Sequence, residues 1–192
     1  GTLALSGANT YTGTTTVSGG TLTLGASNVL ADTSALTVSG GTLAIGANSD
    51  TVAAVSLSAG SITGTGGTLT GTSYSFTNAG AASVTAILGG SSVALTKSGA
   101  GTLTLSGANA YTGTTTVSAG TLSVTGSLSD STAVVVSTGA TYNVGASDTI
   151  AALSGAGFVT LNANTLTIGA ATGNYSGVMS GTGSLTISGG SQ

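Results

Sequence analysis

Residues 1–25 read GTLALSGANTYTGTTTVSGGTLTLG, and residues 101–125 read GTLTLSGANAYTGTTTVSAGTLSVT. Only positions 4, 10, 19, 23, 24 and 25 of the stretch differ, so 19 of 25 residues recur at a period of 100. Self-similarity at a fixed period marks a repeat architecture, in which each unit buries its apolar face against the next. A shorter period lies inside the long one. Val17-Ser-Gly-Gly-Thr-Leu22, Val38-Ser-Gly-Gly-Thr-Leu43, Leu57-Ser-Ala-Gly-Ser-Ile62, Val117-Ser-Ala-Gly-Thr-Leu122 and Val136-Ser-Thr-Gly-Ala-Thr141 share one pattern, an apolar residue, a small turn and a further strand. Their steps of 19 to 21 residues predict a coil of about 20 residues.

Within each coil apolar residues alternate with Thr or Ser, as in Thr21-Leu22-Thr23-Leu24, Leu43-Ala44-Ile45 and Thr165-Leu166-Thr167-Ile168. Period-2 alternation puts Leu, Ile and Val on one face of a strand, and none of the strong segments has the 3.6 period of a helix. Thr and Val suit a pleated surface, and Gly supplies the positive φ that tight corners need. The fold expected is all-β, a parallel β-helix or β-solenoid running through residues 1–192 as one segment of a longer array, with long repeats 1–100 and 101–192. Nine or ten coils at the ~4.8 Å strand spacing make a rod of ~45 Å. The pattern weakens over 60–95 and 153–180, where Thr70–Ala79 and Asn162–Ser176 are expected to bulge outward. Gly1 enters in mid-repeat and Ser188-Gly-Gly-Ser-Gln192 stops where another strand would follow, so neither end is expected to carry a polar cap.

The charge inventory narrows function. Lys97 is the only basic side chain, Asp32, Asp50, Asp130 and Asp148 are the only acids, and Arg, Glu, His and Cys are absent. A net charge of -3 cannot displace the counterions of a phosphate backbone, which excludes nucleic acid as a partner. No apolar run reaches the 18 residues of a membrane span, and the first residues lack the charged start of a signal peptide. Disorder needs low hydrophobicity and high charge, whereas this chain has mean hydropathy +0.51 and 3% charged residues.

Gly1–Leu24 and Leu95–Val124 resemble the autotransporter-associated β-strand repeat, also called the passenger-associated transport repeat, in the motif LTKSGAGTLTLSGANAYTGTTTVSAGTL. A weaker copy runs through Gly173-Asn-Tyr-Ser-Gly177 and Ser180–Ile187. The resemblance implies a right-handed β-helix in the secreted passenger of a bacterial surface protein, extracellular in location, aiding passenger secretion and folding. The residue aligned with Lys97 in the weak copy is Ile187, so no role needing a Lys in every repeat is implied. A translocating barrel needs aromatic girdles, which five Tyr and two Phe do not supply.

No catalytic, cofactor-binding or metal-binding residue is expected. Ser and Thr abound, but a nucleophile needs an adjacent base, and Lys97 is expected to be a solvated strand or turn lysine. Asp32 to Asp50 and Asp130 to Asp148 both span 18 residues, one coil, so each pair could share a face for acid/base work or Ca²⁺. Each Asp precedes Thr or Ser and then a strand, and an Asx-type turn explains that context without a ligand. Tyr11, Tyr111 and Tyr175 invite comparison with sugar-stacking aromatics; packing of each over its own corner is the simpler reading. The triplets Thr14–Thr16 and Thr114–Thr116 occur once per 100 residues, too rarely for the Thr ranks of an ice-binding surface. Three functions follow: a structural stalk or scaffold, a self-assembling extracellular filament, and a carbohydrate-binding or hydrolytic solenoid. The partners expected are a continuation of the same polypeptide or end-to-end self-association, with cell-surface or glycan contact as a further option.

Overall fold

The computed structural model describes residues 1–170 and 172–189, so the last three residues of the Ser188–Gln192 run lie outside the described residues. Among the described residues every regular element is a β-strand, every strand pairing is parallel, and none is a helix long and apolar enough to cross a membrane. The chain is a β-solenoid of about 10 turns with about 19-residue spacing. Each coil passes through up to three faces. The first holds Thr15–Val17, the start of Leu36–Gly46 and of Ala54–Gly64, Ser73–Phe76, Leu95–Lys97, Thr115–Val117, Ala133–Val136 and Ala152–Gly155. The second runs from Thr2–Leu5 and Thr21–Leu24 through Ala82–Val84, Thr102–Leu105, Thr121–Val124, Thr141–Val144 and Phe158–Thr160 to Val178–Ser180.

The third face is interrupted. Asp50–Thr51, Thr68–Thr70 and Ile87–Gly89 form one three-stranded sheet, and Asp148–Ile150, Thr165–Ile168 and Ser184–Ile187 form another. Residues 6–14, 26–34, 106–112 and 126–132 cross the same side without a strand.

In-register pairing sends apolar side chains inward as ladders. On the first face the column runs Val17, Val38, Leu57, Phe76, Lys97, Val117, Val136, and every member is buried. Burying one Leu- or Val-sized side chain contributes about 1.5–3 kcal/mol, so a coil with several inward residues gains its order chiefly from its neighbours. Corners are turned by glycine. Gly20 and Gly120 stand at the same place in the two long repeats with φ of 65° and 64°, and a Cβ on Gly120 would collide with the Gly101 carbonyl. No other residue fits such a corner cheaply.

Two expectations need correction here. Within Thr70–Ala79 and within 162–168 the chain does not bulge outward: Ser73–Phe76 pairs with strands on both sides, Thr165–Ile168 likewise, and Tyr74 and Phe76 point inward in columns where other coils place Val, Leu, Thr or Lys. Secondly, the two long repeats are equivalent in sequence but not in the stack. Leu3 corresponds to Leu103, yet the column from Leu3 runs through Leu22, Leu43, Ile62 and Val84 to Leu105. Five positions separate the first-face and second-face columns at Leu57 and Ile62, and eight at Phe76 and Val84. The corner between Phe76 and Val84 is thus three residues longer than the one between Leu57 and Ile62, and the second-face column reaches Leu105 rather than Leu103, an even offset that keeps apolar side chains inside.

Candidate functional site

Lys97 lies in the first-face column between Phe76 and Val117 and is fully buried. This corrects the solvated lysine expected from sequence. Its stem fills a ladder position, and Nζ donates to the carbonyl of Gly99 and, at 3.3 Å, to that of Ala119 in the next coil. Burial pushes its pKa down. One coil earlier Asn78 does the same work, Nδ2 donating to Gly80 O at 2.6 Å and to Thr102 O at 2.9 Å. Both side chains staple one corner to the next through carbonyls that the strands leave free.

The four acids divide into two classes. Asp32 and Asp130 are exposed in turns, as expected. Asp50 and Asp148 are buried, and here the Asx-turn reading needs correction, because their hydrogen bonds reach into the preceding coil. Asp50 Oδ2 accepts the N–H groups of Val29 at 2.8 Å and Leu30 at 3.2 Å, while Asp148 Oδ2 accepts that of Leu128 at 2.9 Å. The coils that donate are those with no third-face strand, so a carboxylate replaces the missing ladder. Burial pushes the Asp50 carboxyl above the usual range and that of Asp148 up to about 6, partly offset by these N–H bonds. Each exposed Asp adds its charge to the buried partner of its pair. Asp130, Ser147, Asp148, Thr149, Thr165 and Thr167 line a shallow concavity of about 300 Å³. Among the described residues no three His, Cys, Asp or Glu side chains gather as metal ligands.

Tyr111 is fully buried, shares a 2.7 Å hydrogen bond with Thr115, and lies 5.7 Å from the Tyr74 ring, so it offers no face to a sugar. Tyr11 makes the same bond to Thr15 at 2.8 Å but is 42% exposed in the first coil. Tyr175 bonds to Gly157 O and Val178 O at 2.8 and 3.0 Å, closing its own corner. The three rings do not form a common binding face; Tyr111 and Tyr175 pack at their corners, whereas Tyr11 keeps an exposed ring.

The Thr triplets do enter ranks. Thr16, Thr37, Ser56, Ser75, Thr96 and Thr116 follow one another on the first face. On the second, Thr2, Thr21, Thr42, Ser61, Ser83, Thr104, Ser123, Asn143, Thr160 and Ser180 form a rank through all ten coils. Counting triplets missed these ranks, which arise from the alternation itself. Several members bond along the rank, Thr42 to Ser61 at 3.1 Å and Asn143 to Ser123 at 2.9 Å.

The residues that sequence reading passed over are the asparagines of the GAN motif. Asn109 accepts Leu88 N–H at Oδ1 and donates from Nδ2 to Ser127 O and Gly107 O, linking the coils on either side of its own. Asn9 donates to Gly7 O and Val29 O in the same way. Their recurrence at 100 residues beside a strandless corner was the available signal.

Residues 1–24 and 95–124 match the family model described as Passenger-associated-transport-repeat. No curated protein matches the chain, and no solved structure does. The motif residues just described, Asn9 and Asn109, Tyr11 and Tyr111, Lys97, fall inside those two segments, and the chain is a β-solenoid with two segments similar to the passenger-associated transport repeat.

Proposed function

We propose that this chain is a structural segment of a secreted bacterial surface protein of the autotransporter type, a stalk or scaffold that aids passenger secretion and folding and performs no catalysis. The observation that supports this most directly is where the interior polar groups point. Lys97, Asn78, Asn109, Asp50 and Asp148 each bond backbone groups of an adjacent coil. Their polarity is spent on stacking. Vectorial folding suits such a rod, because each coil adds to the previous one through neighbour contacts alone. The test places the chain between an epitope and a translocating barrel on a bacterial surface. The expected result is an epitope displayed outside the cell on a protease-resistant rod, lost when the inward positions are scrambled with the outward ones. Display unaffected by scrambling would overturn the reading.

A further inference from the structure

Asp50 and Asp148 are the two acids held in the interior, and they occupy matching places in the two long repeats. Each opens a third-face strand and accepts N–H groups from a coil that has no strand there. Asp50 Oδ1 is buried and has no hydrogen-bond partner. The groups that face them are acidic or neutral. Asp32 acts on Asp50; Asp130 and the buried hydroxyls of Tyr111 and Tyr142 lie near Asp148. The single basic side chain, Lys97, is held by carbonyls at the corner between the first and second faces.

We propose that the two carboxyl groups are proton-operated latches, which hold the strandless corners 26–34 and 126–132 most firmly when protonated and loosen them when ionised. Ionisation strengthens the N–H bonds to Oδ2, but it also sets a charge with no cation to pair with in a site largely removed from water and within reach of a second carboxylate, and the cost of burial outweighs the gain. The direction follows from linkage. The folded carboxyl of Asp148 titrates near 6, above the ~3.9 of an unfolded Asp, so the folded state binds more protons in between. The stabilisation is complete below about pH 4, is lost as pH rises through about 6, and is absent above it. Asp50 shifts in the same direction. Proteins whose carboxylates are paired with cations behave oppositely and come apart in acid.

Carbonyl-carbon NMR of the carboxyl groups tests this directly in the intact chain. The Asp148 resonance should titrate with a midpoint near 6 and the Asp50 resonance above the ordinary Asp range. Hydrogen exchange of the Leu128 amide, corrected for intrinsic rate, should be about tenfold or more better protected at about pH 4 than at about pH 7, since each unit of pKa shift is a tenfold preference, and the Leu30 amide should change in the same direction. Asp148→Asn keeps an acceptor for Leu128 without the charge, and should abolish the pH dependence at 128 while leaving that at 29–30 intact. Midpoints in the ordinary Asp range, protection that rises with pH, or a pH dependence that survives Asp148→Asn would each overturn the latch. If that variant fails to fold, the parent's titration and exchange still decide.

Discussion

A lysine in an apolar column is the residue at which this fold departs furthest from its own pattern. Leu95-Thr-Lys97 alternates in phase with its neighbours, which forces position 97 inward between Phe76 and Val117, and the ammonium is tolerated because two corner carbonyls receive it. Lys97→Ala removes the stem and both bonds, and should cost about 2–5 kcal/mol, the range for truncating a buried side chain of that size. Lys97→Met keeps the stem and loses only the donors, so its melting temperature should fall between those of Lys97→Ala and the parent. Chemical denaturation of the three proteins is the check; an alanine variant as stable as the parent would mean the side chain lies outside. The same logic explains why sequence inspection put Lys97 in solvent. A lone charge is read from its type, while its phase within the strand, which was available from Leu95, decides its side.

At the scale of the strand, inside and outside are set by alternation alone. Leu122 is fully buried between Leu103 and Tyr142, whereas Thr121 faces outward between Thr102 and Thr141. Leu122→Asp places a carboxylate in a column with no partner for it and should unfold or locally open the solenoid, a loss of about 3 kcal/mol or more. Thr121→Asp should melt within about 1 kcal/mol of the parent, as surface changes do. Two equal melting curves would contradict the assignment. First-face and second-face strands were legible for this reason: Thr21–Leu24 and Thr121–Val124 carry a long enough alternation to state their own orientation. The third face was not. Its strands are as short as Asp50–Thr51 and are missing from four crossings, where Asn9, Asn109, Asp50 and Asp148 supply coil-to-coil bonds that no hydrophobic pattern records. The two-residue offset by which the column of Leu3 reaches Leu105 rather than Leu103 was hidden too, because an even shift leaves the alternation unchanged.

Stacking defines the whole molecule, and a stack has two ends. At one, Leu3, Leu5, Tyr11, Val17 and Leu22 surround an open concavity of about 450 Å³; at the other, Leu153, Ile168, Met179, Leu185 and Ile187 line one of about 350 Å³. Among the described residues Thr2–Leu5 pairs only with Thr21–Leu24, and Ser184–Ile187 only with Thr165–Ile168, so each end of the described stack presents a row of backbone groups beside apolar side chains. Edges of this kind are usually blunted by Lys or Pro, but the one Lys is in the core and Pro is absent. Further coils of one polypeptide, or a second copy, cover such an end at the ~4.8 Å spacing used within the molecule. For the isolated chain we therefore expect head-to-tail association. The contact is heterologous, nothing closes it into a ring, and fibres are its product. Sedimentation over a wide concentration range with negative-stain imaging should show rods that lengthen with concentration. Leu3→Lys or Ile187→Lys puts a charge on one edge and should stop growth there, while folding is unaffected because both positions are already open to solvent. A chain that stays monomeric at every concentration, with no fibres, would refute end-to-end association and leave the stalk, whose coils need partners only along their own polypeptide.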